Sequence, residues 1–139
     1  MNELKASDYQ VPEDYQHWAG DPAEDNVGPF FCKSMAPRSE TALRLQEKHC
    51  NMFGIVHGGV LMAFADYTLC LAGIENTEQG CVTVTCDNQF IASAKAGELL
   101  TGHGELIHRT RKLAFVRATL TVGERVVLSA TATLKMKTP

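Results

Sequence analysis

No stretch of this chain reaches the roughly 20 consecutive apolar residues that a bilayer-spanning helix needs, so no membrane span is expected. Positive charge is not in excess either: 13 Lys and Arg face 16 Asp and Glu, a formal net charge of −3. Nucleic-acid binders usually carry a basic patch or stripe, and none is visible, so no nucleic-acid partner is expected. The five cysteines are odd in number and scattered, which reads as reduced thiols in a cytoplasmic protein. No Cys-x-x-Cys pair or His/Cys cluster has zinc-like spacing, so no metal is expected. Gly102-His103-Gly104 lacks the third glycine of a dinucleotide fingerprint and lies between strand residues. A Gly-x-Ser-x-Gly elbow is missing, which argues against a serine hydrolase. The opening MNELKASDYQVPEDY is acidic and polar, unlike a signal peptide. Internal repeats and low-complexity tracts are absent as well.

What remains is a chain of 139 residues, 45% hydrophobic and 21% charged, the size and composition of one globular domain. Residues 1–26 read as a polar extension with one short helix around Pro12 to Trp18, and residues 27–139 as the folded domain. Phe30 to Met35 and Thr41 to Lys48 read as extended, and residues 49–57 as a loop. The segment from Gly58 to Ile74 is apolar nearly all round, which predicts a buried helix. Beyond Gly80 the pattern turns β-branched: Cys81 to Ala92, Leu99 to Ile107, Leu113 to Val122 and Arg125 to Lys135 read as four antiparallel strands joined by short hairpin-type turns. Cys81 and Cys86, five apart on one strand, are expected on opposite faces. One long buried helix with one antiparallel sheet is an α+β architecture. Five or six strands cannot cover a helix without a polar face, so a second subunit is expected.

The most informative stretch is His49 to Asp66, H-C-N-M-F-G-I-V-H-G-G-V-L-M-A-F-A-D. From Gly58 to Ile74 the only charged side chain is Asp66. An ionised carboxylate is costly to bury unless paired, so Asp66 is a site candidate. Gly58 stands where a helix N-terminus leaves N–H groups free and favours negative charge. Asn51, in the loop, and His57, before the glycines, complete the cluster. Each has a plainer reading: a tight turn at Gly58 and Gly59, a self-bonded loop asparagine, a bracing histidine and a core-tied aspartate.

Asn-x-x-Gly-x-x-His-Gly-Gly, from Asn51 to Gly59, followed by Asp66, resembles the hotdog-fold acyl-CoA thioesterases of the phenylacetate-degradation type, within the 4-hydroxybenzoyl-CoA thioesterase-like superfamily. The likeness continues through Ser93 to Glu98, Lys112 to Phe115 and the Asp21 to Phe31 segment. The resemblance implies a hotdog fold, a long central helix wrapped by a curved antiparallel sheet of five to six strands. It further implies homodimers that pair into homotetramers, with active sites between subunits and no cofactor. Asn51, His57 and Gly58 would come from one subunit and Asp66 from the other, and Thr83 matches a Ser or Thr common on the strand after the helix.

In such a site, Gly58 N–H would polarise the thioester carbonyl of an aryl- or fatty acyl-CoA. Asp66 would act as base for water or as nucleophile. Asn51 would orient water or hold the carbonyl, His57 would bind near it or brace the loop, and Thr83 would position water. Gly59, Arg109, Arg111 and Lys112 are candidates for substrate and CoA contact, the cations suiting its phosphates; a solvated turn is the plainer reading of the three cations. Two alternatives stand: a hotdog hydratase or dehydratase, which would need a His paired with an acid, and a non-catalytic acyl-CoA-binding protein.

Overall fold

The computed structural model describes residues 3–138. A seventeen-residue helix, α2, runs from Gly58 to Ile74, at the bounds its apolar composition suggests. Before it come β1 (Tyr15–Gln16), α1 (Pro22–Val27), β2 (Phe31–Lys33) and β3 (Glu40–Arg44). After it come β4 (Cys81–Phe90), β5 (Leu99–Arg109), β6 (Leu113–Val122) and β7 (Arg125–Met136). All seven strands form one antiparallel sheet in the order β1-β2-β3-β5-β6-β7-β4. That exceeds the expected five or six because Tyr15–Gln16, read from sequence as helical, instead pairs with Cys32 and Lys33.

The sheet wraps α2, which touches β3, β4, β5, β6 and β7. Leu69 on the helix and Leu100, Leu120 and Leu134 on the strands are fully buried in this core. Each such side chain contributes about 1.5–3 kcal/mol of transfer free energy. Thr68 meets its polar needs inside that core by donating to Phe64 O and sharing a 2.7 Å hydrogen bond with Thr41. Gly102 leaves room for this pair: a Cβ there would stand 2.3 Å from Thr41 Oγ1 and 2.7 Å from Thr68 Oγ1.

Two expectations about β4 need correction. β4 pairs with β7, so residues 91–98 cross to the far side of β6 and β7 instead of closing a hairpin with β5. Its register also shifts between Thr83 and Thr85. A bulge adds one residue and resets the alternation of side chains. Cys81 and Cys86 therefore both pack against the core, not on opposite faces. β4 is also a sheet edge ten residues long, carrying exposed Val82 and Val84. Such an apolar edge is a template for pairing with another chain.

Candidate active site

Asn51 shapes the loop that leads into α2. Its Oδ1 accepts from the N–H of Phe53 at 2.9 Å and of Ile55 at 3.4 Å, while its own N–H donates to Ile55 O. Asn51 also lines the neighbouring cleft. His57 is the N-cap of α2, and its Nδ1 accepts from Gly59 N–H at 2.8 Å. That bond requires an unprotonated Nδ1, so the neutral ring carries its proton on Nε2. Val60 and Leu61 send their N–H groups to His57 O. Of the first-turn donors only Gly58 N–H has no partner among the described residues. It lies beside a cleft of about 330 Å³ lined by Asn51, Gly58, Leu61, Phe90 and Ile91 among others. A Cβ at residue 58 would lie 3.1 Å from the Phe90 ring, so glycine keeps backbone and aromatic face close together.

Two turns further along α2, half-buried Asp66 accepts a 2.5 Å hydrogen bond from Thr83 Oγ1 through Oδ1. Thr83 stands two residues after core-facing Cys81 and before the β4 bulge, so strand alternation turns its side chain to the helix. Cys70, one turn after Asp66, places Sγ 3.6 Å from Thr83 Oγ1 and 4.0 Å from Asp66 Oδ1. Contact with the Cys81 thiol, burial and the neighbouring Asp66 charge all push the Cys70 thiol up, so it stays protonated and is a poor nucleophile.

The structure thus gathers the sequence candidates into separate groups. Asn51, His57, Gly58 and Gly59 surround the start of α2, while Asp66 and Thr83 form a pair near its middle. Gly58 and Asp66 are eight residues apart, about 12 Å along the helix axis. Gly59 N–H is committed to His57. Arg109 caps the other end of α2, Nη1 donating to the carbonyls of Gly73 and Glu75 at 3.0 Å each. That placement suits the negative end of the helix dipole. Arg111 and Lys112 are exposed in the β5–β6 turn, their cationic ends without protein partners among the described residues.

Sequence reasoning passed over Glu24. This carboxyl, on α1, has its pKa pushed up to about 7 by burial and by the charges of Asp21, Asp25 and Asp66. The cue was the acidic run from Asp21 to Asp25, beside a proline that starts a helix. Phe90 carries no signal in the sequence beyond being one apolar residue of a strand; folding alone brings its ring to Gly58.

One long helix enfolded by a single antiparallel sheet defines the hotdog class. The sequence model of the thioesterase superfamily matches residues 53–129. A curated Pseudomonas aeruginosa protein named "Putative esterase PA0474" is 40% identical over 124 residues, covering 86% of this chain and 92% of its own. The chain belongs to the thioesterase superfamily. Among solved structures, it is similar to a phenylacetic acid degradation-related protein of Ralstonia eutropha JMP134, at 27% identity and a TM-score of 0.71 over 84% of this chain and 92% of that one. It is likewise similar to the smu.793 protein of Streptococcus mutans UA159 bound to acetyl CoA, at 26% identity and a TM-score of 0.66 over 70% and 79% of the two chains.

Proposed function

We propose that this protein is an acyl-CoA thioesterase of the cytoplasm, releasing free acid and CoA at sites shared between two subunits. The observation that carries the reading is the pairing of an unpartnered Gly58 N–H with an Asp66 carboxylate held by Thr83 on one helix. A thioester needs a donor for the oxygen that gains charge and an oxygen base or nucleophile for the carbonyl carbon. A thiol leaving group, with a pKa near ~8.5, needs little further help.

The about 12 Å between Gly58 and Asp66 is too long for one chain to place both on one carbonyl. The composite site therefore sets Gly58, His57 and Asn51 against Asp66 of the partner subunit. The unprotected β4 edge supports a homodimer formed by a second copy, and dimers would pair into homotetramers. At the carbonyl, Gly58 N–H and the helix dipole stabilise developing negative charge. His57 Nε2–H and Asn51 Nδ2 stand nearby as further donors. Thr83 fixes one oxygen of Asp66, leaving Oδ2 to take a proton from water or to attack the carbon. Both roles require the same geometry. Arg111 and Lys112 are free to meet phosphates of CoA, whereas Arg109 is already engaged at the end of α2. The hydratase alternative would use a His–acid pair to move protons at the acyl carbons and would release no CoA, so CoA release separates the two readings.

The test is CoA release from aryl and aliphatic acyl-CoA esters by wild type and Asp66→Asn. Turnover by the wild type, with a folded mutant that loses about a hundredfold or more in kcat, is the expected outcome. Absence of CoA release from every ester, or full activity in the mutant, would overturn the reading.

A further inference from the structure

The site leaves open what lies beyond the thioester carbonyl, and the surface of α2 bears on it. After Ala63, every residue of the helix is buried except Asp66, Cys70 and Ile74. Spacing of four places these three in one row along the helix. A half-open stripe therefore leaves Asp66, passes the small Cys70 side chain and ends at Ile74. Thr83 on β4 borders it on one side, and α1 packs against α2 as well.

Ile74 lines a separate cavity of about 280 Å³, with Leu71, Trp18 and Ala36 on its apolar side and Arg38, Glu75 and Thr77 among the residues of its polar rim. Leu71 and Ile74 supply apolar lining from the helix. The opposite wall is Trp18, from the N-terminal extension, and it is held in place. With the Gln16 side-chain oxygen turned toward them, Trp18 Nε1 and Arg38 Nη1 both donate to it, at 3.3 and 3.2 Å. The Arg38 guanidinium also lies over the Trp18 ring, 5.4 Å from its centroid. A Trp18 ring tied by one hydrogen bond and one cation–π contact to the Gln16–Arg38 pair is a built surface rather than a loose side chain.

Resting on the thioesterase reading, we propose that the acyl group is a medium-length aliphatic chain whose distal end enters this cavity, with Trp18 gauging its length. Asp66 and Ile74 are eight residues apart, about 12 Å along the helix. A single aromatic ring on the carbonyl stops short of the cavity, whereas an extended chain following the stripe reaches it and covers Leu71 and Ile74.

Trp18 is the sole tryptophan of the chain, so its fluorescence reports on this cavity alone. The experiment titrates the full-length Asp66→Asn protein with CoA, benzoyl-CoA and straight-chain acyl-CoA esters from butanoyl to dodecanoyl. The longer chains should move the Trp18 emission, CoA and benzoyl-CoA should leave it in place, and affinity should climb about fourfold per methylene until the cavity is full. Ala36→Phe in the same background, which fills the cavity from an exposed loop, should cancel that climb. Emission that responds equally to all ligands or to none, or affinity that is flat with chain length, would overturn the proposal. Its failure is separable from that of the parent reading. Fluorescence that follows chain length in a protein whose wild type releases no CoA would leave this proposal standing and the thioesterase reading refuted. Efficient wild-type turnover without a chain-length response would do the reverse.

Discussion

Replacing Gly58 by proline would remove the one N–H assigned to the thioester oxygen while leaving the helix a suitable first residue. Proline is favoured at the first helical position, because its fixed φ suits the turn and the missing N–H makes no helical bond. The preceding residue must be extended, and His57 already is, with φ −63° and ψ 137°. The added ring carbons would meet Phe90, whose Cε1 lies 3.1 Å from a Cβ at this position. Phe90 is 55% exposed, so its ring can yield by a few tenths of an ångström. Thermal stability should stay level or rise by up to about 1 kcal/mol, since proline restricts the unfolded chain. Loss of one oxyanion donor typically costs about 100- to 1000-fold in kcat, roughly 2.7–4 kcal/mol. Because that donor acts mainly as charge develops, KM should change little. Steady-state CoA release by wild type and Gly58→Pro, with thermal melts of both, makes the comparison. A folded Gly58→Pro protein whose kcat stays within tenfold of wild type would refute the role given to Gly58.

Thr83→Val keeps the shape of the strand but removes the 2.5 Å bond to Asp66. A hydrogen bond to a charged group is worth about 1.5–3 kcal/mol, so kcat should fall about 10- to 100-fold, Thr83→Ser should recover most of it, and a valine variant within twofold of wild type would contradict the bracing role. Glu24→Gln tests the half-buried carboxyl of α1 through stability. Its folded-state pKa of about 7 lies above the ordinary 4.5, so the stability it contributes is complete below pH 4.5 and is lost as the pH rises through 7. Discounted for partial exposure, glutamine should gain about 1–2 kcal/mol over wild type at pH 8 relative to pH 4. Denaturation midpoints that move in parallel for the two proteins across that range would show that Glu24 titrates normally.

The helix was legible because composition alone defines it: two glycines open a run of seventeen largely apolar residues in which one carboxylate stands out. The three C-terminal strands were equally plain in their β-branched runs. Their pairing was not, because an alternating pattern shows which face of a strand is buried and not which neighbour it bonds. β4 could equally have closed a hairpin with β5. The bulge at Val84 was hidden for a related reason. In Val82-Thr83-Val84-Thr85 every residue suits a strand, so nothing marks the extra one, and Cys86 was assigned to the wrong face. Arg109 looked like part of a basic cluster because the end of α2, 34 residues or more away in sequence, is brought to it only by folding. The two-residue strand at Tyr15 depends wholly on its partner β2. Asn51, His57 and Gly58 were visible as a motif, but their hydrogen bonds distinguish them: only Gly58 keeps its N–H free.

In the proposed enzyme each site draws its two essential groups from different subunits. Asp66→Asn and Gly58→Pro would each be inactive alone. In a mixed dimer, the first chain contributes an intact Gly58 and the second an intact Asp66, so one of the two sites is whole and the other is doubly defective. Unfolding and refolding an equimolar mixture yields mixed dimers in half of the population, so activity should return to about a quarter of wild type. If the mixture stays as inactive as either variant alone, Gly58 and Asp66 do not serve one site across the interface, and the composite mechanism is wrong.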